Sequence, residues 1–308
     1  MSKFDKMYLD LCDKILTEGV KTQSRNGITY RIAHNHWDFD LTEPTGEVDE
    51  NGKPKYKKIV HTLTCKKVAL KWATLEMMWI WLAQSIDVRW LQERGITIWD
   101  KFMTSEDGYY YNPDNGDVKF IGKEFAHTIG KSYAYIMKNG CEDPNTDQVR
   151  YAIDKIINHP EDRRIIVQMW QPPFFREATL PPCVYEVQFM VLNGELHSFV
   201  RQRSCDTFLG VPFNIAQYCI LTHMIAHIAG LKPGKMHYDM GDVHIYEEHI
   251  PAVKEMLARR DKCLDNEVEL WLNPEVKDFF KFDTSKELKD IKFLGYENLG
   301  QLYGVIKA

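Results

Sequence analysis

"TLPPCVYEVQFMVLNGELHSFVRQRSCD", residues 179–206, contains the clearest folding signal in the chain. Apolar and polar residues alternate on both sides of Asn193-Gly194, as they do in half-buried strands. An Asn-Gly pair readily adopts the positive φ angles that a two-residue type I′ turn requires. The stretch therefore predicts an antiparallel β-hairpin that begins just after Pro181 and Pro182.

The two ends of this hairpin carry reactive side chains. Cys183 stands at its start and Arg203 at its end, and a two-residue turn brings those ends together. A guanidinium beside a thiol favours the thiolate, and with the Ser204 hydroxyl it also provides an anion site. A cysteine at the start of a strand is more often a packed small residue. The hairpin makes the two interpretations, nucleophile and core residue, about equally good.

Composition and charge limit the class of protein. The chain has 308 residues, 44% hydrophobic and 27% charged, with a net charge of −5. This composition is typical of a globular protein, and the negative charge argues against DNA as a partner. The apolar runs are too short to cross a membrane, and seven widely spaced cysteines without a CxxC pair indicate a reducing compartment. We expect a cytoplasmic protein without a metal.

Helix and strand patterns are mixed without regular βαβ alternation, which predicts an α+β fold for residues 1–308 as a single domain. Helices are expected at residues 4–16, at 68–83, after a cap at Asn145 or Thr146, and from Pro212 to Gly230. Two polar, turn-rich segments, at 41–58 and 105–120, are expected to be surface loops.

Several polar residues outside the hairpin are candidates for chemistry. Asn214 opens an apolar helix, and its carboxamide offers the donor and acceptor that a cyclic imide such as uracil needs. Glu76 lies in the apolar run TLEMMWIWL, where a carboxylate is costly unless it is paired or functional. His244 and Tyr246 share one face of a strand. Taken singly, each is equally consistent with a structural role.

The chain resembles the folate-dependent thymidylate synthases over nearly its whole length. The resemblance rests on ITIWD at 96–100, on HPEDRRIIVQMW at 159–170, and on a long ordered block at 180–250. That block contains LPPCVYEVQF, GELHSFVRQRSCDTFLGVPFNIAQY and GDVHIYEEHI. The resemblance implies a kinked, mixed sheet that is packed by helices on one face and pairs with a second subunit through the other.

The resemblance also implies a reaction. Deoxyuridylate (dUMP) would be methylated to thymidylate, with 5,10-methylenetetrahydrofolate as both carbon donor and reductant. The implied catalytic residues are Cys183 as the nucleophile that adds to C6, with Glu76, Arg203, Asp206 and Asn214. The implied nucleotide-binding residues are Arg25, Arg203, Ser204, Asp206, Asn214, His244 and Tyr246, with Arg163 and Arg164 reaching the site of the other subunit. The implied folate-binding residues are Glu76, Ile98, Trp99, Asp206, Leu209, Gly210, Phe213 and Ala308.

The sequence departs from the family pattern at three positions that bear on the end of the reaction. Val184 replaces a histidine, Phe102 replaces the second tryptophan of IWDxW, and Ile129 stands where a tyrosine is usual, with Tyr133 or Tyr135 as a substitute. A dUMP 5-hydroxymethylase, in which water rather than hydride captures the methylene intermediate, is therefore the close alternative.

Two hypotheses come from other classes of protein. A zinc hydrolase would use His223 and His227, which lie one helical turn apart. A non-catalytic regulator would bind RNA through the basic phosphate site, against which the net charge argues.

Overall fold

The hairpin around Asn193-Gly194 lies inside a seven-stranded mixed sheet. The computed structural model describes residues 1–141 and 145–307. In these residues the helices are α1 Lys3–Glu18, α2 Leu70–Trp81, α3 Arg89–Gln92, α4 Ala134–Asn139, α5 Gln148–Asn158, α6 Gly210–Ile228 and α7 Ile250–Leu257. The strands are β1 Val20–Ser24, β2 Gly27–Asp40, β3 Thr42–Val48, β4 Pro54–Val60, β5 Tyr109–Tyr111, β6 Val118–Phe120, β7 Ile166–Gln168, β8 Val184–Leu192, β9 Glu195–Gln202, β10 Cys205–Asp206, β11 Lys232–Tyr246, β12 Val268–Leu272 and β13 Ile291–Leu294.

The predicted hairpin is confirmed. Strands β8 and β9 pair antiparallel, and Asn193 and Gly194 have φ angles of 51° and 77°, both positive as a type I′ turn requires. The register shifts near the far end, where Val184 faces Gln202 but Glu186 faces Arg201. Tyr185 is therefore an extra residue on β8, and such a bulge bends the strand just after Cys183.

The large sheet has the strand order β1-β2-β11-β9-β8-β7, with β10 alongside β11. Strand β11 runs parallel to β9 and β10 and antiparallel to β2, which makes the sheet mixed. The α+β prediction is confirmed. The described residues contain no helix that is both long and apolar enough to span a membrane.

One face of the large sheet packs against helices. Trp37 and Phe39 of β2 and Met236 and Tyr238 of β11 are buried there, while α6, apolar around its circumference, is buried along most of its length. The alternate residues point the other way, and we call that surface the open face. It includes His36, Asp38, His197, Phe199, His237 and Asp239, all at least partly exposed.

The two segments expected to be surface loops form antiparallel hairpins instead. Strands β3 and β4 pair within residues 41–58, and β4 continues a four-stranded sheet in the order β13-β12-β4-β3. Strands β5 and β6 pair within residues 105–120. Both hairpins are largely exposed, so the polar composition reflects their solvation rather than an absence of strands.

The cap of α5 also differs from the prediction. Asp147, and not Asn145 or Thr146, accepts a hydrogen bond from the backbone N–H of Arg150. A side-chain oxygen at this position satisfies one of the unpaired donors of the first turn. The cap lies one residue further along the chain because Gln148 is the first helical residue.

A buried carboxylate fastens α1 to the segment that leads to α2. Asp5 is fully buried and accepts hydrogen bonds from the backbone of Thr64 and Cys65 and from the hydroxyls of Ser2 and Thr64, over 2.7–3.2 Å. Loss of this side chain would leave several buried donors without a partner.

We expect Asp5→Ala to lower the free energy of unfolding by about 3 kcal/mol, because buried donors that lose a charged acceptor pay their full desolvation cost. Urea denaturation measures the change. Asp10→Ala, which removes exposed ion pairs with Lys6 on the same helix and with Arg260, serves as the control and should cost less than about 1 kcal/mol. Equal losses in the two variants would contradict the role given to Asp5.

Candidate active site

The hairpin places Arg203 against Cys183, as the sequence predicts. The backbone N–H of Arg203 donates to the carbonyl of Cys183 over 2.9 Å. The guanidinium donates from Nε to the carbonyl of Pro182 and from Nη2 to that of Pro181, each over 2.9 Å. The two prolines therefore provide the acceptors that hold this guanidinium beside the thiol.

The electrostatic balance at Cys183 differs in one respect from the prediction. Burial raises the pKa of the Cys183 thiol above its usual value, and the charge of Arg203 and a hydrogen bond from Tyr133 offset only part of that rise. Arg203 favours the thiolate, but burial outweighs it. The neutral thiol is therefore more strongly favoured in this fold than in water.

Tyr133 is the tyrosine that lies beside the thiol. Its hydroxyl accepts a hydrogen bond from the backbone N–H of Cys183 over 2.8 Å, and its ring meets Trp99 edge-on with centroids 5.8 Å apart. Its φ angle of 39° is unusual for a bulky residue and orients the ring at the start of α4. Tyr135 instead packs against Phe125 and Phe174, away from this thiol.

Cys183 and Tyr133 open onto a cavity of about 570 Å³. Most of the predicted site residues line it: Arg25, Glu76, Ile98, Trp99, Cys183, Arg203, Ser204, Asp206, Leu209, Gly210, Phe213, Asn214, His244 and Tyr246. Phe102 lines it as well, whereas Val184 and Ile129 are buried outside its lining. Ala308 lies outside the described residues.

Arg163 and Arg164 do not line the cavity of their own chain. Both are exposed just before β7, and the side chain of Arg164 is 83% exposed, with Asp162 as its ion-pair partner. Their predicted role in a second subunit stays a prediction.

Asn214 is held in a defined orientation at the start of α6. Its Oδ1 accepts from Gln202 Nε2 over 3.3 Å, and its Nδ2 donates to Gln217 Oε1 over 2.9 Å. Both neighbours are themselves fixed, because Tyr238 donates to Gln202 and Gln217 donates to the carbonyl of Ala73. The remaining donor and acceptor positions of the carboxamide are available to a ligand.

Glu76 places a carboxyl group with a free oxygen at the cavity. Its Oε1 accepts from the indole N–H of Trp99 over 2.8 Å, while its buried Oε2 has no hydrogen-bond partner. Burial raises the pKa of Glu76 to about 7, although the Trp99 bond acts in the opposite direction. A carboxyl group with this pKa can give and take a proton at neutral pH.

Asp206 connects the cavity to the C-terminal segment. It accepts from the backbone N–H groups of Phe208 and Leu209, and His249 lies 3.7 Å away. Burial raises the pKa of Asp206, but the histidine and the backbone donors lower it further, so it falls below its usual value. The other nitrogen of His249 contacts the carbonyl of Val305 over 2.9 Å.

His244 and Tyr246 stand together on β11, with rings 5.1 Å apart and nearly perpendicular. Burial lowers the pKa of His244, but the hydrogen bond with Asp242 and the charge of Asp206 raise it more, so the balance lies above the usual value. Arg31, directly opposite His244 on β2, places Nη2 2.9 Å from Asp242 Oδ2.

The charged groups around the cavity favour an anion. Among the described residues its lining includes six cationic side chains and three carboxylates. The cations are Arg25, Arg31, Lys66, Lys67, Arg203 and Lys307, and the carboxylates are Glu76, Asp206 and Asp242. Burial lowers the pKa of Lys66 to about 8, and its ammonium lies 4.1 Å from the centre of the Phe208 ring.

Arg31 and Lys66 also line the cavity, although the sequence pattern does not predict either of them as a site residue. The side-by-side lysines at 66 and 67 are the only local signal for the second, and Arg31 is recognisable only after the register of β2 with β11 is known.

The imidazoles of His223 and His227, the pair considered for zinc, do not face a common position for a metal ion. His223 Nε2 contacts the carbonyl of Ile59, and His227 Nε2 contacts that of Val276. Each ring is engaged with a different backbone segment, which gives the zinc-hydrolase hypothesis no support from this pair.

Comparisons with known proteins give a consistent result. The family model described as thymidylate synthase matches residues 6–306. The thymidylate synthase of Clostridium beijerinckii is 34% identical over 299 residues, 97% of this chain and 96% of that protein, and thymidylate synthase 1 of Bacillus spizizenii is 36% identical over the same shares. The solved structure of thermostable thymidylate synthase A from Bacillus subtilis superposes with a TM-score of 0.76 at 32% identity, covering 98% of this chain and 99% of that one.

We expect Arg203→Gln to raise the pKa of the Cys183 thiol, because the cation that stabilises the thiolate is lost. The pH midpoint of Cys183 alkylation by iodoacetamide, followed by mass spectrometry of its peptide, should move to higher pH. Arg201→Gln is the matched control, since Arg201 lies two residues earlier, on β9, and pairs with Glu186. An unchanged or lower midpoint in Arg203→Gln would argue against the contact.

Proposed function

Because the chain belongs to the thymidylate synthase family, a family of methyltransferases, we propose that it converts dUMP to thymidylate with 5,10-methylenetetrahydrofolate and releases dihydrofolate. One observation carries the proposal. Cys183 opens onto the same cavity as Arg203, Asn214 and Glu76, which together suit a thiol addition to a phosphorylated uracil nucleotide.

The nucleotide is proposed to lie along the hairpin end and β11. Its phosphate meets Arg203 and Ser204, with Arg25 and Arg31 as further cations on the same cavity, because guanidinium groups bind phosphate oxygens bidentately. The ribose lies near His244 and Tyr246. Arg163 and Arg164 are proposed to contribute to the phosphate site of a partner subunit, which makes a homodimer part of this proposal.

The uracil ring is proposed to contact Asn214. Gln202 and Gln217 fix the orientation of its carboxamide, so one donor position and one acceptor position are presented together. That pair complements the N3–H and the adjacent carbonyl of uracil. Because the fold already fixes the orientation of this amide, ligand binding does not cost the entropy of ordering it.

Cys183 is proposed to add to C6 of the pyrimidine as a thiolate. Arg203 favours that thiolate and burial disfavours it, and the effect of burial is the larger of the two. The addition makes C5 nucleophilic. Tyr133, whose pKa burial raises well above its usual value, keeps its proton and is proposed to orient a water molecule at the path of C5 proton loss.

The residues of the cavity fit a folate. Ile98, Trp99, Leu209 and Phe213 form an apolar and aromatic wall for a planar ring, and Glu76, whose Oε2 has no hydrogen-bond partner, is a polar group of the same lining. When bound, methylenetetrahydrofolate supplies the one-carbon unit and the hydride. Glu76, with a pKa of about 7, is proposed to donate and accept the proton that folate activation needs at neutral pH.

Trp99 supports hydride rather than water as the final nucleophile. It is buried against Glu76 and Tyr133, and its indole N–H is already occupied, so it narrows access for water. Phe102 at the same wall has no polar atom to hold a water molecule. The alternative reaction is that of a dUMP 5-hydroxymethylase, and identification of the products distinguishes it from thymidylate synthesis.

Incubation of the purified protein with dUMP and methylenetetrahydrofolate should give thymidylate and dihydrofolate, identified by chromatography and mass spectrometry. Hydroxymethyl-dUMP with tetrahydrofolate would establish the alternative instead. Cys183→Ser should reduce turnover at least about 1,000-fold, because a hydroxyl is a much poorer nucleophile. Cys141→Ser, at a second partly exposed cysteine, is the control and should retain activity. Near-normal turnover in Cys183→Ser would remove this residue as the nucleophile.

Asn214→Asp should shift the preference from dUMP toward the cytosine nucleotide, because a carboxyl group complements the amino edge of cytosine. The ratio of kcat/KM values for the two nucleotides should change by about 100-fold or more. Asn214→Ala, which loses both hydrogen-bonding groups, should lower activity without gaining cytosine preference. Unchanged preference in Asn214→Asp would contradict base recognition by this residue.

A further inference from the structure

Two buried cysteines meet on the helix-packed side of the large sheet, away from its open face. Cys65 lies in the segment before α2, and Cys263 follows α7. Helix α1 borders them, because Asp5 of this helix accepts a hydrogen bond from the backbone N–H of Cys65 over 3.1 Å. The ring of Phe4 on the same helix packs edge-on against Trp37 of the sheet, with centroids 5.7 Å apart. Neither of the two cysteines lines the cavity described above.

The backbone around the two cysteines is fixed by hydrogen bonds that join the same two segments. The backbone N–H of Leu264 donates to Thr64 Oγ1 over 2.9 Å, so residues next to each cysteine are in direct contact. Arg259 also joins the segments, since its Nη1 donates to the carbonyl of Cys65 over 3.2 Å. The Cys263 thiol lies 3.5 Å from the carbonyl of Arg259. Cys65 and Cys263 are therefore neighbours in space, although they are far apart in the chain.

The two thiols form a hydrogen bond with each other and differ in acidity. Cys65 donates to Cys263, and this lowers the pKa of the Cys263 thiol more than its partial burial raises it. The same hydrogen bond and burial raise the pKa of Cys65 well above its usual value. Cys65 has 0% of its surface exposed, while Cys263 keeps 9%. Because the thiolate is the reactive form of cysteine, Cys263 is the more reactive and more accessible thiol of the pair.

Three other buried thiols of the chain lack this activation. Burial raises the pKa of Cys12 and of Cys219 to about 12, and it raises that of Cys205 well above the usual value. All three residues have 0% of their surface exposed. Buried cysteines with raised pKa values are inert packing residues. The contrast separates Cys263 from the cysteines that only fill the core.

We propose that Cys65 and Cys263 form a reversible dithiol–disulfide site, which a small disulfide of the glutathione class oxidises. The Cys263 thiolate attacks one sulfur of oxidised glutathione, which gives a mixed disulfide and releases one glutathione thiolate. Cys65 then loses its proton and attacks the sulfur of Cys263, which releases the second glutathione thiolate. Two protein thiols and one glutathione disulfide thus become one protein disulfide and two glutathione thiols, which take up the two protons. The site is independent of the proposed reaction.

The cross-link would lie next to a segment that contributes to the cavity wall. The backbone N–H of Leu299 donates to the carbonyl of Thr64 over 2.8 Å, and that of Lys67 donates to the carbonyl of Gly300 over 2.9 Å. Lys66 and Lys67, which directly follow Cys65, line the cavity. Oxidation of the pair therefore adds a covalent bond at one end of this segment. In a reducing compartment, disulfides of this kind are usually transient and redox-sensing.

The test uses the untagged full chain, fully reduced, freed of reductant without air, and equilibrated with mixtures of reduced and oxidised glutathione. After N-ethylmaleimide has blocked the free thiols in denaturant, mass spectrometry of a non-reduced digest should find the Cys65 peptide linked to the Cys263 peptide. Dithiothreitol should reverse the link. Cys141→Ser, at a partly exposed cysteine outside the pair, is the control and should form the same link. Absence of the link at every glutathione ratio, or its formation only in urea, would overturn the proposal.

Single variants test the order of the two steps. In Cys65→Ser the Cys263 thiol should retain glutathione as a mixed disulfide, whereas in Cys263→Ser the buried Cys65 should stay a free thiol. We expect at least about ten times more glutathione on Cys263 than on Cys65, because thiolate character and access both favour Cys263. Cys65→Ala and Cys263→Ala repeat the comparison, and circular dichroism melting verifies that each variant is folded. Equal modification of the two cysteines in folded variants would overturn the assignment of Cys263 as the attacking thiol.

Discussion

The site depends on the hydrogen bonds that join the two ends of the β8–β9 hairpin. The backbone N–H of Arg203 bonds the carbonyl of Cys183, and its guanidinium bonds the carbonyls of Pro181 and Pro182. The register that permits this contact is set by the Asn193-Gly194 turn and by the extra residue near Val184. A slip of one residue would turn every side chain of the strand to the opposite face, so turn geometry and thiol position are inseparable.

Much of the fold follows from local sequence pattern. The exceptions are strands whose own sequences lack a regular alternation of apolar and polar residues. The β8–β9 hairpin has a clear alternation of apolar and polar residues, α2 and α6 are long apolar runs, and the structure confirms all three. Strand β11 reads as a short strand because Pro233, Gly234 and Gly241 interrupt its pattern, yet pairing with β2 and β9 sustains it over 15 residues. The exposed hairpins at 41–58 and 105–120 bury little, so their sequences lack the alternation that predicts strands.

The site was only partly accessible from the residues themselves. The contact between Cys183 and Arg203 follows from the turn alone, because the two residues are near neighbours across a hairpin. The rest of the cavity depended on family resemblance, since Glu76, Trp99 and His244 are far apart in the chain. Arg31, and the choice of Tyr133 over Tyr135, required the actual register and packing, which a single sequence does not contain.

The charge around the cavity has a consequence for how quickly ligands arrive. The chain as a whole is negative at −5, whereas the described cavity lining has twice as many cationic side chains as carboxylates. The net charge of the chain repels an approaching dianion, whereas the cations of the cavity attract it. The electrostatic field therefore raises the rate at which a dianion reaches this opening. Because mobile ions screen such a field over about 10 Å at 0.1 M salt, the rate of ligand capture, more than the strength with which it is held, will follow the ionic strength of the surroundings.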